Sequence, residues 1–320
     1  MRKIRIGHVG TLHDHSSGKL ACVKKFPDIF EIVGIVPEDD ARWEHIKDQP
    51  TYRGIPRMTE EELYAAGVDA VMVEGFEHEL PHTALRWVKR GVHVHIDKPA
   101  GRDLDVFEET LRIAKGKGLA VQMAYMYRYN FAYLDCLRLI EEGRLGEIYQ
   151  VTAVMNVGHT PEKRAWLSQF DGGMMFFLGC HMVDFVYRLL GMPEAASSAF
   201  TLACLREDVK EKNCDNVEDN AVTVMRYKDG TIALNETGFV SKCSPVVFEV
   251  YGEQGYVRME GNEVYKCTIA TEKKHVKVEL PEKEPLPIVQ FLTDDIREGY
   301  GMEEAKALTH MMVMAYEKPF

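Results

Sequence analysis

Short apolar runs alternate with segments of helical spacing along the first 123 residues of the chain. Five of these runs are almost continuously apolar, as expected for strands that a parallel sheet buries on both faces. Helical segments separate the runs, and this order favours a parallel sheet built by right-handed crossovers. The predicted strands are 4–9, 30–36, 69–73, 92–96 and 119–123, and the predicted helices are 18–26, 60–66, 80–90 and 104–115.

The pattern changes near residue 125, where extended segments become the main feature. The tripeptide Lys228-Asp229-Gly230 indicates a hairpin turn between two of them. We therefore predict an α/β chain with a parallel-sheet domain at 1–124 and an α+β domain with a largely antiparallel sheet at 125–320. The last helices either stay with the second domain or pack back on the first. The predicted strands are 148–156, 221–227, 231–239, 246–251, 256–260 and 264–271, and the predicted helices are 131–142, 174–190, 288–298 and 303–316.

Composition narrows the class of protein. The chain has 320 residues, which favours two domains at about 150 residues each. With 46% apolar and 28% charged residues, it has the composition of an ordinary globular protein, which excludes a disordered chain. No apolar run approaches the ~20 residues of a membrane helix. None follows the charged N-terminus as it would in a signal peptide.

Net charge and the spacing of the cysteines limit the classes of binding partner and the cellular compartment. A net charge of −11 without a dense basic tract argues against nucleic acid and anionic membranes and favours a small diffusible ligand. Seven cysteines at irregular spacing, without a C-x-x-C pair, predict reduced thiols in a cytoplasmic protein.

The end of the first strand is the first candidate site. Dinucleotide-binding loops read G-x-G-x-x-G, and this chain has Gly10-Thr11-Leu12-His13-Asp14-His15, with only the first glycine. Leu12 places a side chain where the backbone would meet phosphate, so the loop alone is a weak signal. The second strand ends before Glu38, which is either a ligand of an adenosine ribose or a carboxylate of a surface turn.

Lys98 follows the fourth strand directly and precedes Pro99. It is expected as a surface lysine at the carboxyl edge of the sheet, where ligands bind in open α/β folds. His93 and His95 share one strand face, but no third metal ligand is evident, so we interpret them as structural histidines and expect no metal site.

His181 lies in an otherwise apolar predicted helix. It is either a core histidine with an internal partner or, with Asp184 three residues later, one half of a His–Asp unit.

Several of these segments, taken in chain order, resemble the glucose–fructose oxidoreductase/myo-inositol dehydrogenase (Gfo/Idh/MocA) family. They are the strand that ends at Gly10, Asp97-Lys98-Pro99, Arg128 between two tyrosines, Gly172-Gly173, and Gly179-x-His181-x-x-Asp184. The resemblance implies an N-terminal Rossmann domain that binds NAD, with NADP as the alternative. It also implies a C-terminal open-faced sheet that shapes the substrate pocket and joins copies into a homo-oligomer, a dimer or a tetramer.

The resemblance also implies roles for particular residues. Lys98 would hold the reacting hydroxyl of a sugar-, cyclitol- or polyol-like alcohol, and His181 would be the acid/base that takes its proton while a hydride passes to nicotinamide. The implied cofactor contacts are Gly10, Thr11, Leu12, His13, Glu38, His78, His82, Asp97 and Lys98. The expected substrate contacts are Tyr125, Arg128, His159, Arg164, Trp166 and Asp184, of which His159, Arg164 and Trp166 lie in a predicted loop and Trp166 is equally suited to be a core anchor.

Three departures from the family pattern leave alternatives open. First, Leu12 replaces the second loop glycine. Second, Pro37 falls at the position of the ribose carboxylate and Glu38 lies beside it; because no arginine follows before Arg42, this segment favours NAD. Third, Phe177 stands where many of the dehydrogenases have aspartate. The alternatives are an enzyme of glycosidase or lyase type that uses bound NAD transiently, and a non-catalytic ligand-binding relative. Retention of both Lys98 and His181 favours an enzyme.

Overall fold

The computed structural model describes residues 2–158, 160–168, 173–201, 217–241, 246–261, 266–271 and 276–279. These residues belong to two compact units. The N-terminal unit ends at Ala124 and the C-terminal unit begins at Tyr125. The helices predicted at 288–298 and 303–316 lie outside the described residues.

The N-terminal unit is built on a five-stranded sheet in the order β2-β1-β3-β4-β5, and every pair in it is parallel. Its central strands are buried, as the continuous apolar runs predicted. The elements, in chain order, are β1 (Ile4–Val9), α1 (Ser16–Lys24), β2 (Phe30–Val36), α2 (Asp40–Ile46), α3 (Glu60–Ala65), β3 (Ala70–Val73), α4 (Leu80–Lys89), β4 (His93–Ile96), α5 (Leu104–Lys117) and β5 (Val121–Met123).

Local sequence signals account for several helix ends in this unit. Asp39 and Thr59 accept backbone N–H groups at the starts of α2 and α3, and Thr59 forms a reciprocal capping box with Glu62. Helix α5 starts after Asp103 and ends at Gly118, whose φ of +66° is the left-handed conformation that glycine adopts without strain. Helix α2 was not predicted, although Asp39 is a suitable cap.

The C-terminal unit contains, among its described residues, an eight-stranded sheet in the order β13-β12-β11-β10-β6-β9-β8-β7. Its pairs are antiparallel except β6 with β9, so the prediction of a largely antiparallel sheet is confirmed. The elements are α6 (Phe131–Glu141), β6 (Ile148–Asn156), α7 (Pro161–Leu167), α8 (Cys180–Leu190), β7 (Ala195–Thr201), β8 (Asn220–Arg226), β9 (Ile232–Gly238), β10 (Val246–Gly252), β11 (Gly255–Gly261), β12 (Lys266–Thr271) and β13 (Val276–Glu279).

An aromatic core joins the helices of this unit to its sheet. Tyr133 of α6 stacks on Phe185 of α8 with ring centroids 3.9 Å apart, and Phe248 of β10 meets both rings edge-on. Along β6, Val151, Ala153 and Met155 are buried, whereas Thr152, Val154 and Asn156 are half-exposed. The helices therefore cover one face of the sheet.

Two segments of this unit differ from their predicted form. Residues 161–167, expected as a loop, form helix α7, which Thr160 caps and Pro161 starts. The helix predicted at 174–190 is not uniform: Met175–Gly179 form a π-helical turn, and α8 follows it. Within the described parts of the chain, we find no helix that combines the length and the apolarity needed to cross a bilayer.

Candidate functional site

Three strands of the parallel sheet end side by side. The register pairs Val9 with Val73 and Val73 with Ile96, so the residues that follow β1, β3 and β4 meet at one edge of the sheet. Ligands bind at this carboxyl edge in open α/β folds. The residues placed there are Gly10, Glu74 and Asp97.

Gly10 permits the loops after β1 and β3 to approach each other. Its φ is +81°, and a Cβ on it would lie 2.4 Å from the backbone nitrogen of Gly75. A side chain therefore fits neither the conformation nor the space. This explains why the first glycine of the loop is present although the second is replaced by Leu12.

Glu38 closes the loop that follows Gly10. One carboxylate oxygen accepts the backbone N–H groups of Thr11 (2.6 Å) and Leu12 (3.0 Å), and the other accepts the Thr11 hydroxyl (2.8 Å). Arg42 binds the other side of Thr11, with its Nε 2.9 Å from the hydroxyl oxygen. Glu38 is therefore not an unengaged surface carboxylate, and Arg42 lies closer to the loop than its place in the sequence indicated.

A cavity of about 330 Å³ lies beside this loop. That volume is at the lower end of the range for small-molecule sites. Glu38 and Gly75 face each other across it, and Phe76 adds an aromatic wall. Other residues of its wall are Gly10, Pro37 and Arg86.

A buried group of charges lies next to the loop. The Lys19 ammonium is 2.7 Å from both Glu74 Oε1 and Asp97 Oδ2, and His13 Nδ1 and His15 Nδ1 lie 2.9 and 3.2 Å from that same Asp97 oxygen. Lys19, Glu74, Asp97 and His13 are all at least 97% buried, whereas about a third of the His15 side chain is exposed. Sequence analysis found no role for Lys19 or Glu74.

Protonation within this group follows from burial and charge. Burial opposes ionisation of both carboxyl groups; it raises the pKa of Glu74 well above its usual range, whereas the neighbouring His13 and Lys19 hold the pKa of Asp97 well below it. Burial lowers the pKa of His13 to about 4. Asp97 is therefore the more acidic of the two carboxyl groups, and the His13 imidazole is neutral near pH 7.

His13, His15 and Asp97 are close enough to hold a metal ion, since their ligand atoms lie within 4.8 Å of one another. The Lys19 ammonium already binds the Asp97 oxygen that such an ion would need. We therefore interpret these side chains as an internal ion-pair network, and the expectation of no metal site stays a prediction.

Lys98 is completely buried, so the expectation of a surface lysine is wrong. Its backbone N–H donates to Oδ1 of Asp97 (2.6 Å), which ties the lysine to the same carboxylate that Lys19 and His13 bind. The sequence-adjacent pair Asp97-Lys98 thus forms part of one buried polar group, and its conformation depends on the β1–α1 loop.

The remaining histidines of this unit fall into two groups. His93 accepts the backbone N–H of Ala120, and His95 Nδ1 lies 2.6 Å from the Gln122 side-chain oxygen, so both act within the sheet, as interpreted from the sequence. His78 and His82 are about half exposed; His78 stacks on Phe76 at the cavity wall, and His82 lies 3.7 Å from Asp103. Their roles as cofactor contacts stay predictions.

We expect His8 and His13 to make the protein less stable in acid. Burial lowers the pKa of His8 to about 3 and that of His13 to about 4, from 6.5. The unfolded chain binds these protons first, so the free energy of unfolding should fall as pH drops from about 6.5 towards 4, by about 2 kcal/mol for each histidine at pH 5. Urea unfolding at pH 7.5 and 5.0 measures this change. It should be smaller in His8→Gln than in the wild type or the exposed control His45→Gln; equal changes in all three would contradict the assignment.

In the C-terminal unit, His181 lies between two tyrosine rings. Tyr125 and Tyr127 meet its ring edge-on, with centroids 6.1 and 4.9 Å away. Arg128, from the same short turn, binds Asp184 through both guanidinium edge nitrogens, with Nε and Nη2 2.9 and 2.6 Å from the carboxylate oxygens. This ion pair holds the turn against α8 and thereby places the tyrosine rings.

Asp184 is engaged within the C-terminal unit. It is buried and its carboxylate binds Arg128. Its role as a substrate contact and the His181–Asp184 unit both stay predictions. Tyr125 is also buried, and Arg128 packs over its ring at 5.4 Å. The His181 imidazole therefore lies beside tyrosine rings rather than beside a carboxylate that the structure shows bound to it.

Arg164 is likewise engaged within the unit. It is 1% exposed, forms an ion pair with Asp219 and donates to the backbone oxygen of Val217 (2.6 Å). Its role as a substrate contact stays a prediction. A buried arginine requires such partners because an unpaired charge inside a protein is costly. Asp219 lies 55 residues further along the chain, and no local pattern points to this pair.

Trp166 packs edge-on against Phe177, with ring centroids 5.6 Å apart. The Lys163 ammonium sits 3.5 Å from the Trp166 ring centroid and 5.0 Å from that of Phe177. Phe177, where aspartate was expected, therefore belongs to an aromatic–cation cluster. This favours the core-anchor interpretation of Trp166. His159 lies outside the described residues.

Glu218 explains why residue 173, just before the π-helical turn at Met175–Gly179, is a glycine. Its Oε1 accepts the Met175 backbone N–H (2.5 Å), and a Cβ on Gly173, at φ +55°, would lie 2.0 Å from its other oxygen. Sequence analysis identified the glycine motif but not this buried carboxylate.

Comparison with known proteins gives a family match within the C-terminal unit and relatives of low identity. Residues 133–258 match the family model described as the GFO/IDH/MocA C-terminal domain. The chain is 29% identical to the uncharacterized oxidoreductase YhhX of Escherichia coli over 173 residues, which cover 54% of this chain and 47% of that protein. It is 30% identical to the scyllo-inositol 2-dehydrogenase (NADP(+)) IolW of Bacillus subtilis over 122 residues, 37% of this chain and 33% of that protein. The chain thus spans less than half the length of these two relatives.

A solved structure shares both units. An oxidoreductase from Agrobacterium radiobacter, crystallised in complex with NAD+, L-tartaric acid and magnesium, matches 99% of this chain and 96% of its own with a TM-score of 0.81. The sequence identity is 14%, so the likeness shows the fold. It confirms the predicted combination of a parallel sheet of Rossmann type and a mixed, mainly antiparallel sheet.

Proposed function

We propose that the chain is a member of the Gfo/Idh/MocA family and an NAD(P)-dependent oxidoreductase that acts on an alcohol group of a sugar, cyclitol or related polyol. The observation that carries the proposal is the cavity at the carboxyl edge of the parallel sheet, with Glu38 in its wall and the Asp97-Lys98 pair at the same edge. A family relative named as an inositol dehydrogenase supports the substrate class.

The residues of the N-terminal unit fit the adenosine half of a nicotinamide nucleotide. The cavity of about 330 Å³ has room for a nucleoside, and Phe76 offers an aromatic face. Glu38 lies in its wall, where a carboxylate accepts hydroxyl groups of a ribose. Three hydrogen bonds from the loop hold this carboxylate in place, so a 2′-phosphate would meet a fixed negative charge. We therefore propose NAD rather than NADP.

Two residues are proposed to carry the reaction. A bound nicotinamide supplies the hydride acceptor or donor. Lys98 donates a hydrogen bond to the oxygen of the reacting alcohol, and its burial excludes water that would weaken that bond. His181, nearly buried and flanked by Tyr125 and Tyr127, takes the hydroxyl proton in oxidation and returns it in reduction.

Phe177 supports a second candidate. The aspartate that many dehydrogenases of the family have at this position is replaced by a ring packed on Trp166, which changes the acid/base groups near His181. An enzyme that oxidises its substrate, eliminates a group and then reduces the product uses bound NAD without net release of NADH. Retention of tightly bound NAD through turnover, with no absorbance change at 340 nm, distinguishes this candidate from a dehydrogenase.

Calorimetric titration of NAD+ and NADP+ into protein checked for co-purified nucleotide tests the proposal. We expect NAD+ to bind in the micromolar range. NADP+ should bind at least about tenfold more weakly, because Glu38 would repel its 2′-phosphate and a repulsion of about 1.4 kcal/mol raises Kd tenfold. A screen of polyols and cyclitols at 340 nm follows. If neither nucleotide binds and none has co-purified, the non-catalytic ligand-binding alternative is favoured instead.

We further propose that the protein is a homo-oligomer, a dimer or a tetramer, and that it works in the cytoplasm. On the sheet face opposite α6 and α8, Val224, Leu234 and Thr152 lie side by side in the register and are half-exposed. A second copy that covers this apolar strip would remove it from water. Sedimentation should give an oligomer for the wild type and a smaller species for Val224→Lys; a monomeric wild type would contradict the proposal.

A further inference from the structure

The backbone N–H groups of the β1–α1 loop are already used within the protein. Those of Thr11 and Leu12 donate to Glu38, and that of His13 donates to the backbone oxygen of Glu74 (2.9 Å). The N–H group of Ser16 donates to the backbone oxygen of His13 (3.1 Å). In glycine-rich loops, groups of this kind bind the nucleotide diphosphate. Here four of them have internal acceptors.

The loop carries imidazole side chains in place of the missing glycines. His15 immediately precedes the first residue of α1, and about a third of its side chain is exposed. Its Nδ1 lies 3.2 Å from the Asp97 carboxylate. The neighbouring ring of His13, with its centroid 4.9 Å away, is buried. His15 is therefore the side chain of this cluster that combines access to solvent with an ionised partner.

An imidazole between two anions is stabilised in its protonated form. When Nδ1–H donates to Asp97, a phosphate oxygen can accept from Nε2–H only if the ring is an imidazolium, because a neutral imidazole has a single N–H. Charge-assisted hydrogen bonds of this kind are about twice as strong as neutral ones.

We propose that His15, rather than the loop backbone, binds the diphosphate of the nicotinamide nucleotide, as an imidazolium held between Asp97 and a phosphate oxygen. The inference rests on the proposed function, since it assigns a residue to the proposed nucleotide site. It also accounts for Leu12: a loop that does not offer its backbone to phosphate does not need the second glycine.

The test compares a ligand that contains the diphosphate with one that lacks it. ADP-ribose carries a diphosphate diester that stays ionised across neutral pH, and adenosine carries the same base and ribose. Calorimetric Kd values are measured for the wild type, His15→Gln and the exposed control His45→Gln. His15→Gln should bind ADP-ribose about 10- to 100-fold more weakly, the range of one charge-assisted hydrogen bond. Adenosine affinity should stay within about twofold in all three proteins.

Proton uptake gives a second readout. Titrations at pH 7.5 in two buffers of different ionisation enthalpy measure the protons taken up on binding. The wild type should take up a fraction of a proton with ADP-ribose and none with adenosine, and His15→Gln should take up none with either. The titratable groups around His15 are its neighbours Asp97 and His13 and the groups that act on those two, Lys19, Glu74 and Lys98. All are present in both proteins, so the difference between the two belongs to His15.

The outcomes separate the inference from the proposed function. If His15→Gln binds ADP-ribose as tightly as the wild type does, the role of His15 is overturned and the nucleotide site stands. The same conclusion follows if His15→Gln loses equal affinity for adenosine and ADP-ribose. A wild type that binds neither ligand would overturn both.

Discussion

Replacing Lys98 with methionine should lower kcat by about 10²- to 10³-fold. This is the range seen when one preorganised donor to the reacting oxygen is removed. Methionine keeps much of the length and the apolar character of the lysine stem. The change therefore removes the ammonium from a fully buried position without leaving a cavity as large as alanine would. Steady-state kinetics with the best substrate of the polyol screen measures the effect.

Two controls keep this result interpretable. Lys89→Met changes an exposed helix lysine that pairs with Glu109 at 2.9 Å, and it should leave kcat unchanged. NAD+ affinity and the thermal midpoint of Lys98→Met show whether the buried network around Asp97 has survived. A folded Lys98→Met protein that binds NAD+ and turns over at the wild-type rate would remove Lys98 from the mechanism.

The second large effect is expected for His181→Gln. General acid/base groups contribute about 10²- to 10⁴-fold, so kcat/KM should fall within that range. The wild type should lose activity on the acidic side, where the imidazole is protonated and accepts no proton from the alcohol. His181→Gln should lack that limb of the profile. Rates measured from pH 5.5 to 9 provide the comparison.

Tyr127→Phe is the informative neighbour of His181. The Tyr127 ring meets the imidazole edge-on at 4.9 Å, and phenylalanine preserves that ring contact. If the ring orients the imidazole through packing, Tyr127→Phe should keep the acidic limb and most of the rate. A profile for His181→Gln that matches the wild type in shape would show that another group is the base.

The sequence predicted best those elements whose conformation follows from the local pattern of apolar residues. Strands β1, β2 and β6 have the bounds that their apolar patterns predicted, because burial within a sheet requires those patterns. Strand β7 was missed, since its small residues, AASSAFT, form no clear alternation. Helix α7 was missed although Thr160 and Pro161 are a recognised start signal; the polar residues after them had been assigned to a substrate loop.

Charged residues were placed least well, because a charge becomes buried only when a distant partner meets it. Arg164 looked like a loop residue that could contact substrate, and its partner Asp219 lies 55 residues further along the chain. Lys98 looked like a surface lysine, and the Lys19–Glu74–Asp97 network that surrounds its backbone comes from three separate elements. The motif residues were found from the sequence, but their environments required the fold.

The π-helical turn at Met175–Gly179 lets its helical segment hold one residue more than a regular α-helix of the same span. Because the turn takes up the extra residue locally, the residues before and after it keep their directions, and deleting one residue there would restore an uninterrupted α-helix in the same register. Phe177 lies inside the turn, so we expect such a deletion to change its contact with Trp166, while His181 in α8 keeps its place beside Tyr125 and Tyr127. Insertion or loss of a single residue at this point therefore changes the aromatic cluster without moving the imidazole, a route by which one scaffold alters what surrounds a fixed acid/base group.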